Sequence, residues 1–319
     1  MNIFPFRSRA VRMYARHIKE QFSNDVPPLP RIIHLETRSR CNSLCSFCLA
    51  NARDDPRKDQ LMSDALIEKI FKDLAALNYP NRLSLYNNNE PTLDKRLPSI
   101  IENARTYLPR AYLEVKTNGK GLNSEKVLEL FNSGLDTLYI NDYTEDGVQS
   151  LNIEKIRRNL SSNRRFLGHF DGTNHLFSNR LIIFNRQVNQ VLGSRGGTAP
   201  NKTPPTNPSQ RQCFRPFEMM TISPSGEVGV CSEDLLISSK MGNLQAETIA
   251  TIWNSEKYKH YRSELILGRR SNLTPCSKCD YAGHSNESLN EAKITSRRSL
   301  HRTHIGSFLF NLVLVRNKA

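Results

Sequence analysis

The sequence predicts an α/β protein: a partial (β/α) barrel of parallel strands, followed by a small C-terminal domain that contains four cysteines. Short apolar strands alternate with amphipathic helical segments from residue 31 onwards. Gly, Pro, Asn, Ser and Thr then dominate residues 193–210, and a hairpin pattern with the turn Pro224-Ser225-Gly226-Glu227 follows. Because repeated β/α units imply parallel strands, we expect reactive loops at their carboxyl ends.

The individual elements follow from the spacing of apolar residues. An amphipathic helix precedes the barrel, with one face formed by Val11, Tyr14, Ala15, Ile18 and Phe22. Ser63 is the predicted N-cap of the first barrel helix, and Gly134 stands where the third helix ends. The apolar face of that first helix is predicted to contain Leu66, Ile67, Ile70, Phe71 and Leu74. Strands are predicted at residues 32–35, 83–86, 112–116, 135–140, 181–184, 219–222 and 228–231. One helix is predicted through Ile249, Ile252, Trp253, Tyr258 and Tyr261.

Domain boundaries follow from these elements. A chain of 319 residues exceeds a typical single domain, so a large domain with a smaller one is expected. We expect an N-terminal helix and Pro-rich link at 1–30, the barrel at 31–192, a Gly/Pro-rich linker at 193–212, an auxiliary domain at 213–284 and a C-terminal extension of unknown role at 285–319.

Composition narrows the function classes. The net charge of +14 would suit an anionic partner, but the basic residues are spread along the chain and no nucleic-acid-binding signature is found. No secretory signal is present, and the longest apolar stretch, residues 308–315, is too short for a membrane span. We therefore expect a cytoplasmic protein without a nucleic-acid partner or a membrane span. In that reducing compartment its seven cysteines are not expected to form disulfides.

Three cysteines form the first group. Cys41, Cys45 and Cys48 have CxxxCxxC spacing directly after the first predicted strand. Structural zinc normally takes four protein ligands, and His34 is the lone nearby candidate for the fourth. Ferredoxin-type clusters likewise bring a fourth cysteine. Three thiolates that leave one iron of a cubane open to another ligand therefore fit a catalytic 4Fe–4S cluster better than a structural site.

The sequence around these cysteines resembles the radical S-adenosylmethionine enzymes, whose motif has an aromatic residue before the third cysteine; Phe47 is that residue. Asn88-Asn89-Glu90-Pro91 is similar to the family's Gly-Gly-Glu motif for the methionyl amino group, with Asn replacing both glycines. Asn tolerates left-handed backbone better than most residues. The resemblance implies S-adenosylmethionine as cofactor, a 5′-deoxyadenosyl radical, and a reducing partner such as flavodoxin or ferredoxin. Further contacts are expected from Asn89, Glu90, Thr117, Asn118 and Asn141.

The second group contains Cys213, Cys231, Cys276 and Cys279. Their spacing alone suits a zinc site and a 4Fe–4S cluster equally well. The surrounding residues resemble the shortened auxiliary-cluster domain, of twitch type and related to SPASM, that follows some radical enzymes. The resembling segments are 213–217, 226–231, 241–244, 252–254 and 276–279. The resemblance implies a C-terminal cluster-binding domain and two 4Fe–4S clusters in all.

The linker carries one catalytic candidate, Arg195, in the segment Ser194-Arg195-Gly196-Gly197. That segment resembles a radical dehydrogenase of this group, in which the arginine is implicated in handling the substrate hydroxyl proton. Because guanidinium stays protonated, we expect Arg195 to hydrogen-bond the substrate oxygen rather than act as a base.

These features predict an oxidoreductase that dehydrogenates a hydroxyl of a small polyol, aminocyclitol or sugar and passes an electron to the auxiliary cluster. The first alternative is a sugar epimerase or dehydratase. An epimerase often donates hydrogen from a free thiol, and here the two clusters would use all seven cysteines, which counts against an epimerase. The second is a peptide-modifying maturase, which usually has a peptide-recognition domain longer than the thirty N-terminal residues. The third is a non-catalytic iron–sulfur or zinc module.

Overall fold

A computed structural model of the chain describes residues 4–23, 27–161, 163 and 181–284. Residues 28–283 form one compact unit, and helix α1, Phe4–Phe22, belongs to a second. The predicted helical face of α1 is buried at Tyr14, Ala15 and Ile18. The predicted C-terminal extension lies outside the described residues. No helix in the described ranges is long and apolar enough to cross a membrane.

One open sheet of eight strands organises the compact unit, in the order β5-β4-β3-β2-β1-β6-β7-β8. Pairing is parallel from β5 to β6 and antiparallel in β6–β7 and β7–β8. The strands are β1 Ile32–Leu35, β2 Arg82–Ser84, β3 Tyr112–Thr117, β4 Thr137–Thr144, β5 Leu181–Gln187, β6 Met219–Ile222, β7 Glu227–Gly229 and β8 Gly242–Asn243. The predicted α/β fold with a partial parallel barrel is therefore confirmed.

Helices α2 to α6 lie between these strands in the chain, and α7 and α8 follow the last strand. Ser63 caps α2 by accepting from Leu66 N, and the buried face of α2 is the predicted one. The remaining helices are α2 Asp64–Ala76, α3 Leu97–Tyr107, α4 Ser124–Asn132, α5 Leu151–Leu160, α6 Arg215–Glu218, α7 Ile249–Trp253 and α8 Glu256–Ile266.

The prediction of one helix through Ile249 and Tyr261 is wrong, since α7 and α8 are separate. Asn254 ends α7, and the Ser255 side chain accepts from Tyr258 N to begin α8. The extended backbone of Ser255, with ψ 154°, explains the break, and its side chain accepts from the Tyr258 N–H that a continuous helix would pair with Asn254 O.

The sheet places the strand before the first cysteine group beside a strand of the C-terminal segment. Strand β6 follows Cys213 and pairs directly with β1, which precedes Cys41. The two cysteine groups therefore belong to loops of one sheet. The predicted boundary between a barrel and an auxiliary domain stays a prediction.

Candidate functional site

The first cysteine group lies in the loop that follows β1. Ser43 contacts two of its thiols, with N 3.5 Å from Cys41 Sγ and Oγ 3.3 Å from Cys45 Sγ. Burial raises the pKa of Cys41 to about 12, and the charges of Glu90, Cys48 and Cys45 also raise it. Cys48 N donates to Cys45 O at 3.2 Å, so one short loop carries all three thiols.

The Glu90 carboxylate joins the loops that follow β2 and β3. Its Oε1 accepts from Thr117 Oγ1 at 2.6 Å, and its Oε2 accepts from Asn118 N at 2.7 Å. Thr92 donates to Oε1 through both N and Oγ1. Glu90 is 1% exposed, and burial raises the pKa of its carboxyl group. The protein itself thus supplies four hydrogen bonds to this carboxylate, three to Oε1 and one to Oε2.

These two loops also contact the cysteine loop. Glu90 N donates to Arg40 O at 2.8 Å, immediately before Cys41. Asn118 Nδ2 donates to Asn42 Oδ1 at 2.8 Å and lies 3.7 Å from Cys41 Sγ. The structure therefore brings the predicted Glu90 motif and the predicted Asn118 to the edge of the sheet where the cysteines lie.

A buried arginine that the sequence analysis missed holds the same region. Arg57 Nη1 donates to Glu36 Oε1 at 2.6 Å, and Nη2 donates to Asp55 Oδ2 at 2.9 Å. The same Nη2 donates to Ser39 O and Asn88 O. Glu36 directly follows the apolar strand β1, and a charged residue in that position is the one signal that points to this network.

Three further residues that the sequence predicts in the cofactor site are Asn89, Phe47 and Asn141. Asn89 Nδ2 is buried without a hydrogen-bond partner in the described chain. The Phe47 ring is 5% exposed and lies 5.6 Å from the Tyr143 ring. Asn141 Oδ1 accepts from Arg186 Nε at 2.9 Å. Strand β4 continues to Thr144, so Asn141 lies within the strand and not at its end as predicted.

Polar side chains also line the face of the sheet opposite the apolar Leu113 and Val115. Glu114 accepts from Tyr86 Oη at 2.7 Å and forms an ion pair with Arg82 at 3.2 Å. Lys116 Nζ lies 5.2 Å from the ring centroid of Tyr86 and of Tyr139. His34, on the neighbouring β1, lies 3.2 Å from Tyr86 O through Nδ1, so its ring is directed to Tyr86. This face offers hydrogen-bonding groups to a polar molecule.

The second group comprises four buried free thiols, between 7% and 8% exposed: Cys213, Cys231, Cys276 and Cys279. Burial raises the pKa of Cys231 well above its ordinary value, and the other three thiols raise it further. Cys276 and Cys279 lie on the 3₁₀ turn Cys276–Lys278 and its end, where Cys279 N donates to Cys276 O at 3.2 Å. Arg270 lies 3.3 Å from Gln212 O and 3.4 Å from Cys279 O, and a Cβ on Gly196 would lie 3.0 Å from Glu233 O and 2.8 Å from Pro275 Cβ. The segments that carry the four thiols are therefore neighbours.

In the described part of the chain, no group of three or more Cys, His, Asp or Glu side chains has the geometry for a single metal ion. That geometry differs from the one a cubane cluster needs, because the cluster binds each thiolate through a different iron.

Arg195 connects the two cysteine regions. Its Nη2 donates to Asn88 Oδ1 and to Ser232 O, and Ser232 directly follows Cys231. The Arg195 backbone is left-handed, with φ 48°, and Gly196 and Gly197 continue the turn. A Cβ on Gly196 would lie 2.8 Å from Pro275 Cβ, and one on Gly197 would lie 2.8 Å from Lys278 Cβ. The two glycines thus let the linker backbone approach the CxxC turn closely.

Comparison with known proteins agrees with this geometry. Residues 213–280 match the family model of SPASM, an iron–sulfur cluster-binding domain. Over 249 residues the chain is 26% identical to the S-adenosyl-L-methionine-dependent 2-deoxy-scyllo-inosamine dehydrogenase of Niallia circulans, covering 78% of this chain and 92% of the relative. It is 33% identical over 135 residues to the Fe-coproporphyrin III synthase of Methanosarcina barkeri, covering 41% of this chain and 30% of that one.

The fold is similar to a solved structure as well. The crystal structure of BtrN in complex with AdoMet and 2-DOIA aligns with a TM-score of 0.66 over 80% of this chain and 94% of that chain, at 23% identity. At that identity the similarity supports the shared fold, an open parallel sheet followed by a C-terminal cysteine segment.

Proposed function

We propose that this chain is a radical S-adenosylmethionine enzyme that oxidises a hydroxyl-bearing carbon of a small polyol, aminocyclitol or sugar to a carbonyl. Its residues 213–280 match the SPASM iron–sulfur cluster-binding domain. The similarity to a dehydrogenase of 2-deoxy-scyllo-inosamine supports this substrate class. The observation that carries the proposal is the position of Arg195. Its guanidinium is hydrogen-bonded both to the loop after β2 and to the residue next to Cys231.

The thiols suit two 4Fe–4S clusters, one on Cys41, Cys45 and Cys48 and one on the four C-terminal cysteines. Burial keeps thiols such as Cys41 and Cys231 protonated, and metal binding replaces those protons. When bound, the first cluster with S-adenosylmethionine would supply the radical chemistry for hydrogen-atom abstraction from carbon, and the second cluster would supply a one-electron acceptor.

The loops after β2 and β3 would bind S-adenosylmethionine. The unpaired amide of Asn89 suits the methionyl carboxylate, because a buried N–H without a partner gains a hydrogen bond on binding. Glu90 already receives four hydrogen bonds, so it would act by fixing Thr117 and Asn118 beside the cysteine loop. Phe47 and Asn141 complete the proposed set of contacts.

Arg195 would bind the substrate oxygen. Its buried Nε has no hydrogen-bond partner in the described residues, so one donor remains for a ligand. A guanidinium stays protonated, and it would stabilise negative charge on the oxygen as the hydroxyl proton leaves. The polar face that carries Glu114, Lys116 and Tyr86 would hold the other hydroxyl groups of the substrate.

A cytoplasmic location and a reducing partner such as flavodoxin or ferredoxin also belong to the proposal. Seven free cysteines suit a reducing compartment. The electron that opens each turnover requires an external donor.

The decisive experiment is anaerobic incubation of the reconstituted enzyme with S-adenosylmethionine and candidate substrates, with 5′-deoxyadenosine and oxidised product followed by mass spectrometry. Two clusters predict about eight irons per chain. Cys41→Ala is expected to abolish both products. Cys276→Ala is expected to spare 5′-deoxyadenosine and block oxidation. Undiminished oxidised product from a Cys276→Ala variant that lacks its cluster would exclude electron transfer to that cluster. An isomerised product without net oxidation in the parent enzyme would instead favour an epimerase.

A further inference from the structure

Arg270 is buried beside the four C-terminal thiols. It is 1% exposed, and no carboxylate in the described residues forms an ion pair with it. Burial of an unpaired guanidinium is costly unless another negative group compensates its charge. The charge of Arg270 interacts with Cys213, Cys276 and Cys279.

The hydrogen bonds of Arg270 join the two segments that carry the thiols. Nε donates to Arg211 O at 3.0 Å and Nη2 to Gln212 O at 3.3 Å, just before Cys213. Nη1 donates to Tyr281 O at 2.9 Å and lies 3.4 Å from Cys279 O. The guanidinium thus uses its fixed fork to hold the Cys213 segment against the CxxC segment.

A second guanidinium, Arg215, lies on another side of the group. The backbone N–H of Arg215 donates to Cys213, and the charge of its guanidinium interacts with Cys213 and Cys231. The side chain packs over the Tyr281 ring at 4.3 Å, and its Nε has no partner in the described chain. Carboxylates are also near: Glu233 acts on Cys231 and Cys279, and Glu218 on Cys213.

We infer that Arg270 and Arg215 raise the reduction potential of the cluster held by the four C-terminal thiolates, and that Arg270 also fixes the geometry of its ligands. A 4Fe–4S cluster with four thiolates is an anion that gains a further negative charge on reduction, so nearby cations favour the reduced form. Net charge and hydrogen bonds to the sulfurs are general determinants of cluster potential. Both residues act as positioning residues for an electron acceptor. The inference rests on the proposed function, which assigns a cluster to these thiols.

The test isolates this cluster in the full chain by replacing Cys41, Cys45 and Cys48 together with Ala. Midpoint potentials are then measured by dye-mediated titration with electron paramagnetic resonance detection. In this background Arg270→Met and Arg215→Gln are each expected to lower the equilibrium constant for one-electron reduction about tenfold, which is a shift of about 59 mV to lower potential. Arg270→Lys keeps the charge and is expected to stay close to the parent potential.

Arg262→Gln is the matched control. Arg262 is also buried, at 5% exposed, but its guanidinium stacks on Trp253 at 4.1 Å and on Tyr258 at 4.8 Å, and its Nε donates to Pro216 O. It is expected to lower thermal stability and leave the potential unchanged. Parent potentials in both cluster-loaded Arg270→Met and Arg215→Gln would overturn the inference. If Arg270→Met fails to bind iron, Arg215→Gln alone decides. A parent protein without about four irons would instead overturn the proposed cluster itself.

Discussion

Arg195 donates a hydrogen bond from Nη2 to Oδ1 of Asn88, so the linker is tied to the loop that follows β2. The two residues are separated by more than one hundred positions in the chain. Asn88 Nδ2 lies 3.4 Å from Ser232 O, which Arg195 also contacts. Three loops thus meet at one guanidinium.

Arg195→Gly is expected to reduce product oxidation strongly while the free energy of unfolding changes little. Arg195 has φ 48°, and a left-handed backbone costs a non-glycine residue about 1–2 kcal/mol. Glycine relieves that strain but loses the hydrogen bonds, so the free energy of unfolding should change by no more than about 1 kcal/mol. Cleavage of S-adenosylmethionine should continue while product oxidation falls at least about 100-fold.

The measurement compares 5′-deoxyadenosine with oxidised product in one reaction, and urea denaturation gives the stability. Asn88→Ala is the companion variant, because it frees the guanidinium without removing it. Oxidation at the parental rate in Arg195→Gly would remove Arg195 from the proposed site.

Arg57→Met tests the buried network that supports the cysteine loop. The Arg57 side chain is 16% exposed and its partner Glu36 is 2% exposed. Removing one member of a buried ion pair costs about 3–5 kcal/mol, because the other charge is left unpaired. We expect a loss of that size in urea denaturation, together with loss of iron from the first cysteine group.

Arg158→Met is the matched control for Arg57. Its ion pair with Glu154 is on the surface, with Arg158 73% exposed, so the loss should stay within about 1 kcal/mol. Full iron content and parental stability in Arg57→Met would show that the network does not position the loop.

Local sequence patterns were sufficient to predict the helices and strands whose apolar residues recur at a regular spacing. Strand β1 begins and ends at the predicted residues, and the buried face of α2 matches residue for residue, because both depend on apolar spacing. The SPASM match likewise falls on the predicted second cysteine group.

Polar contacts between distant segments were not predictable in this way. Arg57 meets Glu36 across 21 positions, and Arg270 meets Arg211 across 59. Such pairs have no periodic signal, since the sheet topology alone decides which loops become neighbours. Gly196 and Gly197 were recognised as part of a motif in the sequence. Only the packed structure shows why glycine is needed there, because a Cβ at these positions would meet Pro275 and Lys278.

His34 is expected to make the protein sensitive to acid. Burial lowers the pKa of His34 from 6.5 to about 3, while the unfolded chain keeps the ordinary value. The unfolded state therefore binds a proton first as the pH falls below 6.5. The stabilising contribution of neutral His34 is complete above pH 6.5 and is lost progressively towards pH 3, by about 1 kcal/mol per pH unit.

The check is the difference between the wild-type and His34→Gln stability profiles from urea denaturation between pH 7.5 and 4.5. Glutamine can still donate to Tyr86 O but does not titrate in this range. The variant should therefore lose less stability on acidification. Parallel profiles would contradict a buried neutral His34.

Glu90→Gln is the last prediction, and it tests how the motif loop contributes to binding of S-adenosylmethionine. The carboxylate accepts from Thr92, Thr117 and Asn118, and these donors cannot all be satisfied by an amide. The glutamine NH₂ group would face a hydrogen-bond donor, and hydrogen bonds to a charged group contribute about 1.5–3 kcal/mol each. We expect a loss of about 2 kcal/mol in stability and at least about tenfold weaker binding of S-adenosylmethionine. Anaerobic calorimetry measures the affinity, with the exposed Glu102→Gln as control. Because Glu90 acts by holding Asn118 beside Cys41, the first cluster should also become more accessible to chelators. An unchanged affinity and an unchanged rate of iron loss would show that the Glu90 loop has no part in the site.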